Sequence, residues 1–183
     1  MKEGVKMKIY KLGYAERYVK YNVINEIDYD LIQKMKKDKP LIDTWNSLEL
    51  SETEAIEASE IGYIFTFLNS VILVNRDVKS IIESEFEASR QEFLEARNGE
   101  EIVYIMHNIE PYLIDMKVNC EGEDIVYSFN KEQLEKLNIN EKGIFKVKLE
   151  NGFVSPLFCT EKFVDCMKSK NKLTIGVELV WEG

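Results

Sequence analysis

With 183 residues, 45% of them apolar and 11% aromatic, the chain can bury a core of its own and has the length of one ordinary domain, residues 1–183. Its 33 acidic residues against 24 basic ones leave a formal charge of −9. A field of that sign repels a phosphate backbone, so nucleic acid is not the expected partner, and an acidic surface suits solubility or a basic protein partner.

No apolar run reaches the ~20 residues that would span a bilayer; the longest, IGYIFTFLNSVILV, is interrupted by Asn69 and Ser70. The opening MKEGVKMKIYKLGY has lysines but no apolar segment leading to a small-residue cleavage site, so a signal peptide is not expected and a cytoplasmic location is. Cys120, Cys159 and Cys166 are odd in number and lack CxxC spacing, which argues against a disulfide framework and against a zinc site. Cys159 and Cys166 lie among apolar neighbours and read as buried thiols.

In chain order, MKIYKLGY and YVKYNVIN alternate apolar and polar residues and read as two strands joined near Gly13 to Arg17. DYDLIQKMKKDKP places Leu31, Ile32 and Met35 on one helical face and is stopped by Pro40. TWNSLEL reads as a strand, and the polar SETEAIEASE as a loop or one helical turn. Residues 1–60 are set apart as a candidate N-terminal subdomain, with 61–183 as the core.

From Ile61 aromatic and β-branched residues become denser, and a pattern recurs. ILVNRDVKSIIE and LFCTEKFVDCMK are each a strand-like run, a capping residue and an amphipathic helical turn, with Asn75 and Thr160 at the N-cap. IVYSFNKEQLEKL is a third copy, with Asn130 as cap and Gln133 placed as in a capping box. Val78, Ile81, Ile82 and Phe86 are spaced for one buried helical face. EFLEA and EIVYI flank Asn98-Gly99 and form an expected antiparallel pair, and Pro111 ends the second strand. YLIDMKV then turns at Glu121-Gly122-Glu123 toward the Asn130 helix. Gly143 precedes the strand IFKVKLE, Asn151-Gly152 closes a hairpin toward VSPLF, and KLTIGVELVW is the closing strand. Many strands on hairpin turns with a few short amphipathic helices predict an α+β fold around a largely antiparallel or mixed sheet.

Chemistry-bearing patterns are sparse. His107 is the sole histidine, so any triad or histidine-ligated metal must pass through it. Cys120 with His107 and Asp115 supplies the residue types of an activated thiolate, since an imidazole lowers a thiol's pKa and a carboxylate orients the imidazole. Neither G-x-x-x-x-G-K-[ST] nor G-x-G-x-x-G occurs, so no phosphate cradle and no cofactor are expected. Glu121, Glu123 and Asp124 lack the spacing of a calcium loop and read as a solvated turn; no metal is expected. Tyr10, Tyr14, Tyr18 and Tyr21 are either an exposed binding group or, by strand alternation, half core.

The segments VILVNRDVKSIIE, EEIVYIMHNIEPYLID and GIFKVKLENGFVSPLFCTEKFVDCMKSKNKLTIGVELVWE make residues 61–183 resemble a family of bacterial polymorphic-toxin immunity proteins, first catalogued as a domain of unknown function. The match is densest in the last block, with its short strand, Thr-Glu-x-Phe, amphipathic helix and Glu-rich final strand. The resemblance implies a non-enzymatic, cytoplasmic antitoxin that binds a cognate toxin domain and occludes its active site, and it transfers no contact residue. From their position beside predicted turns, Glu95, Glu100, Glu101, Glu121, Glu123 and Asp124 are the candidate partner contacts. Competing expectations are a small cytosolic hydrolase or transferase using Cys120 or His107, and an interaction module unrelated to any toxin.

Overall fold

The computed structural model describes residues 6–13, 20–23, 39–53, 62–67, 71–108, 110–122, 124–152 and 154–183. Their architecture is α+β, with a mixed strand arrangement and three α-helices among the described residues. The first strands are β1 (Lys8–Gly13), β2 (Lys20–Val23), β3 (Leu48–Thr53), β4 (Ile64–Phe67) and β5 (Val71–Asn75). Helix α1 (Arg76–Glu85) leads to β6 (Gln91–Asn98), β7 (Glu101–Asn108), β8 (Tyr112–Leu113), β9 (Met116–Glu121) and β10 (Asp124–Phe129). After α2 (Lys131–Lys136) come β11 (Ile144–Phe145), β12 (Val147–Lys148), β13 (Phe158–Thr160), α3 (Glu161–Ser169) and β14 (Gly176–Glu182).

A six-stranded sheet runs β2-β3-β6-β7-β5-β4, antiparallel except where β3 lies parallel to β6. A four-stranded antiparallel sheet runs β11-β13-β1-β14, and the short pairs β9–β10 and β8–β12 complete the fold. In β5, Ile72 and Val74 enter one core while Val71 and Leu73 enter another on the opposite face. Burial on both faces accounts for the unbroken apolar run VILV where a surface strand would alternate. The first core adds Val78 and Ile82 from α1 and Phe163, Val164 and Met167 from α3, the side-chain stripe that helical spacing predicts. A third core gathers on Phe158, whose ring meets Tyr127 and Phe129 edge-on at 5.2 Å each and Phe145 at 5.8 Å.

All three expected N-caps form. Asn75 Oδ1 accepts from the Val78 amide at 3.0 Å, Asn130 Oδ1 from the Gln133 amide at 3.2 Å and Thr160 Oγ1 from the Phe163 amide at 3.3 Å. Gln133 does not complete a capping box. Its Oε1 accepts from the Asp115 amide at 2.6 Å and its Nε2 donates to the Asp115 carboxylate at 2.8 Å, so the side chain ties α2 to the start of β9.

Two pairings differ from the sequence expectation. β1 and β2 are not partners: β1 lies between β13 and β14, with Ile9 opposite Thr160 and Trp181, while β2 pairs with β3. The central position hydrogen-bonds β1 on both edges and buries Ile9 completely, which a two-stranded hairpin could not do. IFKVKLE likewise is not one strand. It divides at Lys146, β11 joining β13 and β12 lying parallel to β8, and Gly143 to Val147 are buried without alternation. The helix expected over Asp28 to Pro40 falls almost wholly outside the described residues, as do Tyr14, Tyr18 and most of SETEAIEASE. Tyr10 is half-buried against the first core.

Candidate functional site

The hairpin β9–β10 closes with Glu121 opposite Asp124 and places Met116, Val118 and Cys120 on the same face as Ile125, Tyr127 and Phe129. At its base this face is core: Met116, Tyr127 and Phe129 are buried against Phe158. Toward the turn the same face runs past the body of the protein. Val118 is 43% and Ile125 51% exposed, and Cys120 is exposed too. Alternation thus carries a core face out into solvent, where nothing among the described residues covers it.

Beside the hairpin lies an open groove of about 1010 Å³. It is lined by Leu113 to Val118, by Ser128 to Asn130 across the ladder at the end of β10, by Gln133, and by Lys148 to Asn151 at the end of β12 and in the turn after it. Leu113, 77% exposed, and Val118 give it an apolar strip. Asp115, Lys117, Lys148 and Glu150 give it a charged rim of both signs, and the acidic excess lies at the turn of the hairpin.

The six acidic candidates divide between two hairpins. Glu100 and Glu101 are exposed at the turn of β6–β7, where Asn98 pairs with Glu101, so the loop residues are Gly99, at φ 59°, and Glu100. Glu95 stands further down β6, half-buried, its carboxylate paired with Arg97 at 2.7 Å. That pairing leaves Glu95 less charge to offer a partner than an unpaired surface acid would. Asp124 is exposed at the start of β10; the backbone of Glu121 pairs with it, the side chain of Glu121 is not described, and Glu123 lies outside the described residues.

Cys120, His107 and Asp115 are not assembled into a catalytic group. His107 is buried in the six-stranded sheet, Cys120 is exposed on the separate β9–β10 hairpin, and the Asp115 carboxylate is held by Gln133. His107 Nδ1 instead donates to Glu92 Oε1 at 2.7 Å, with the two residues directly opposite on β7 and β6. The same carboxylate accepts the amides of Leu41 at 2.7 Å and Ile42 at 3.0 Å, which puts the donated proton on Nδ1. His107 Nε2 is buried with no hydrogen-bond partner among the described residues. Glu92 was not a sequence candidate, although counting back along the two strands from the Asn98-Gly99 turn places it across from His107.

Burial pushes the Cys159 thiol well above its ordinary pKa, and burial with the nearby Glu85 carboxylate raises that of Cys166, so neither is set up as a nucleophile. Among the described residues no three His, Cys, Asp or Glu side chains group to hold a metal ion. None of the described helices is long and apolar enough to cross a membrane. Comparison with protein-family models and with curated proteins finds no match to this chain.

Proposed function

We propose that this chain is an immunity protein, a cytoplasmic antitoxin without catalysis of its own that binds a cognate bacterial toxin domain and neutralises it by covering its active site. The observation carrying this reading is the β9–β10 hairpin, whose apolar face extends past the core with Val118 and Ile125 in solvent beside an acidic turn. Apolar strips rimmed by charge are the surfaces on which proteins associate. The resemblance of residues 61–183 to immunity proteins supplies the class of partner. The charge of −9 supports a basic toxin, since complementary fields raise the rate of encounter.

A Cys120–His107 dyad has no observation in its favour, because one group is exposed and the other buried in a different sheet. The decisive observation is whether the neighbouring reading frame encodes a large secreted protein with a variable C-terminal domain, which is then the domain to test. Expressed together, that domain and this chain should co-purify and the toxin's activity should be lost; free toxin in the presence of excess chain would defeat the proposal. Lysine at Asp124 and Glu123 together should slow association by about tenfold at low salt, and the effect should fade as salt is added. The same reversal at Glu100 and Glu101 distinguishes the two hairpins, and equal rates for both variants and the natural chain would remove the acidic surface from the mechanism.

A further inference from the structure

The outer edge of β9 carries a second observation. The Asn130 amide donates to the Asp115 carbonyl at 3.0 Å, and the two residues are opposite each other in the extended register of the hairpin. In an antiparallel ladder such directly bonded pairs alternate with unbonded ones, so Lys117, Asn119 and Glu121 direct their backbone groups to β10. Those of Met116, Val118 and Cys120 point to the opposite edge. No described strand pairs with that edge, whereas the base of β10 is packed toward β14, where Phe129 meets Trp181 at 5.8 Å. The groove is lined by the base of both β9 and β10, with the exposed side chains of Leu113 and Val118 in its wall.

We propose that an extended, basic segment of the partner protein adds to β9 as a third strand of the hairpin. This rests on the chain being a binder of another protein and specifies how it binds. An edge strand with unpaired N–H and C=O groups is a template for another strand, main-chain hydrogen bonds giving affinity and alternate side chains giving selectivity. Alternation on the incoming strand sends one set of side chains to the apolar face of Val118, Cys120 and Ile125 and the other to the polar face. Charge selects a basic segment over a second copy of this chain. Between Asp115 and Asn130 the hairpin carries Asp115, Glu121, Glu123 and Asp124 against the single base Lys117, so two copies laid edge to edge would set acid against acid.

Val118→Pro is the informative variant. Its lost N–H faces outward, a position where an edge strand accepts proline, so the hairpin keeps its own ladder while the template loses a donor. The full chain, 15N-labelled, is titrated with the synthetic peptides Lys-Val-Lys-Val-Lys-Val-Lys and Glu-Val-Glu-Val-Glu-Val-Glu while amide exchange is followed. Exchange at Met116, Val118 and Cys120 should slow in the basic peptide and not in the acidic one, and Val118→Pro should weaken the basic peptide by about tenfold, the value of one hydrogen bond. Cys120→Pro serves the same purpose if Val118→Pro does not fold. Protection elsewhere, equal response to both peptides, no response to either, or concentration-dependent self-association that protects β9 would overturn the proposal. With the toxin domain, capture by Val118→Pro at natural affinity would overturn strand addition and leave the binding function standing. Absence of capture by the natural chain would remove the binding function, and the peptide result would still decide the edge.

Discussion

Glu92 shows how much one buried side chain can organise. Its carboxylate accepts from His107 across the β6–β7 ladder and from two consecutive amides at Leu41 and Ile42, thereby fastening a segment about fifty positions earlier in the chain to the end of the sheet. Glu92→Ala removes the acceptor of all three hydrogen bonds at once and leaves His107 Nδ1 and the Leu41 amide buried without it, so unfolding in urea should show a loss of about 3 kcal/mol. A loss under about 0.5 kcal/mol, the size of an ordinary surface change, would mean that water replaces the carboxylate there. Gly143 is a second such position. It adopts φ 71°, and a Cβ there would come within 2.7 Å of the Phe86 ring, so Gly143→Ala should cost about 2 kcal/mol from backbone strain and displacement of that ring. The three thiols report on the fold directly: a thiol reagent at pH 8 should modify Cys120 rapidly and leave Cys159 untouched until the protein unfolds.

Elements defined by neighbouring residues were legible in the sequence, and those defined by distant partners were not. Asn75, Asn130 and Thr160 cap their helices because a cap needs only a side-chain oxygen and an amide three positions on. Asn75→Ala should therefore lower stability by about 1 kcal/mol without altering the fold, seen as a shift of the urea midpoint at constant slope. The β6–β7 hairpin was readable for the same reason, since its register follows from the turn at Asn98-Gly99. The placement of β1 between β13 and β14 was not. Lys8 to Gly13 is separated from Thr160 by most of the chain, and the alternation of KIYKLG is compatible with many partners. IFKVKLE misled in another way: its alternation from Phe145 to Glu150 reads as one strand, whereas two short strands in different sheets share it and Gly143 to Val147 are all buried. At the site, the acidic turns could be seen in the sequence, while the overhanging face of Val118 and Ile125 could not, because exposure of an apolar residue depends on where the core ends.

At the scale of the whole molecule, the described residues form three packed cores with the β9–β10 hairpin reaching beyond them, and the charge of −9 favours encounter with a basic partner. Val118→Asp with Ile125→Asp changes two residues that are already about half exposed, so the fold should survive it. The affinity of that variant for the toxin domain, measured by titration calorimetry, tests most directly whether this face is where the chain binds. A loss of about thirtyfold or more, the scale of a removed apolar anchor, is predicted; natural affinity in the folded variant would contradict it.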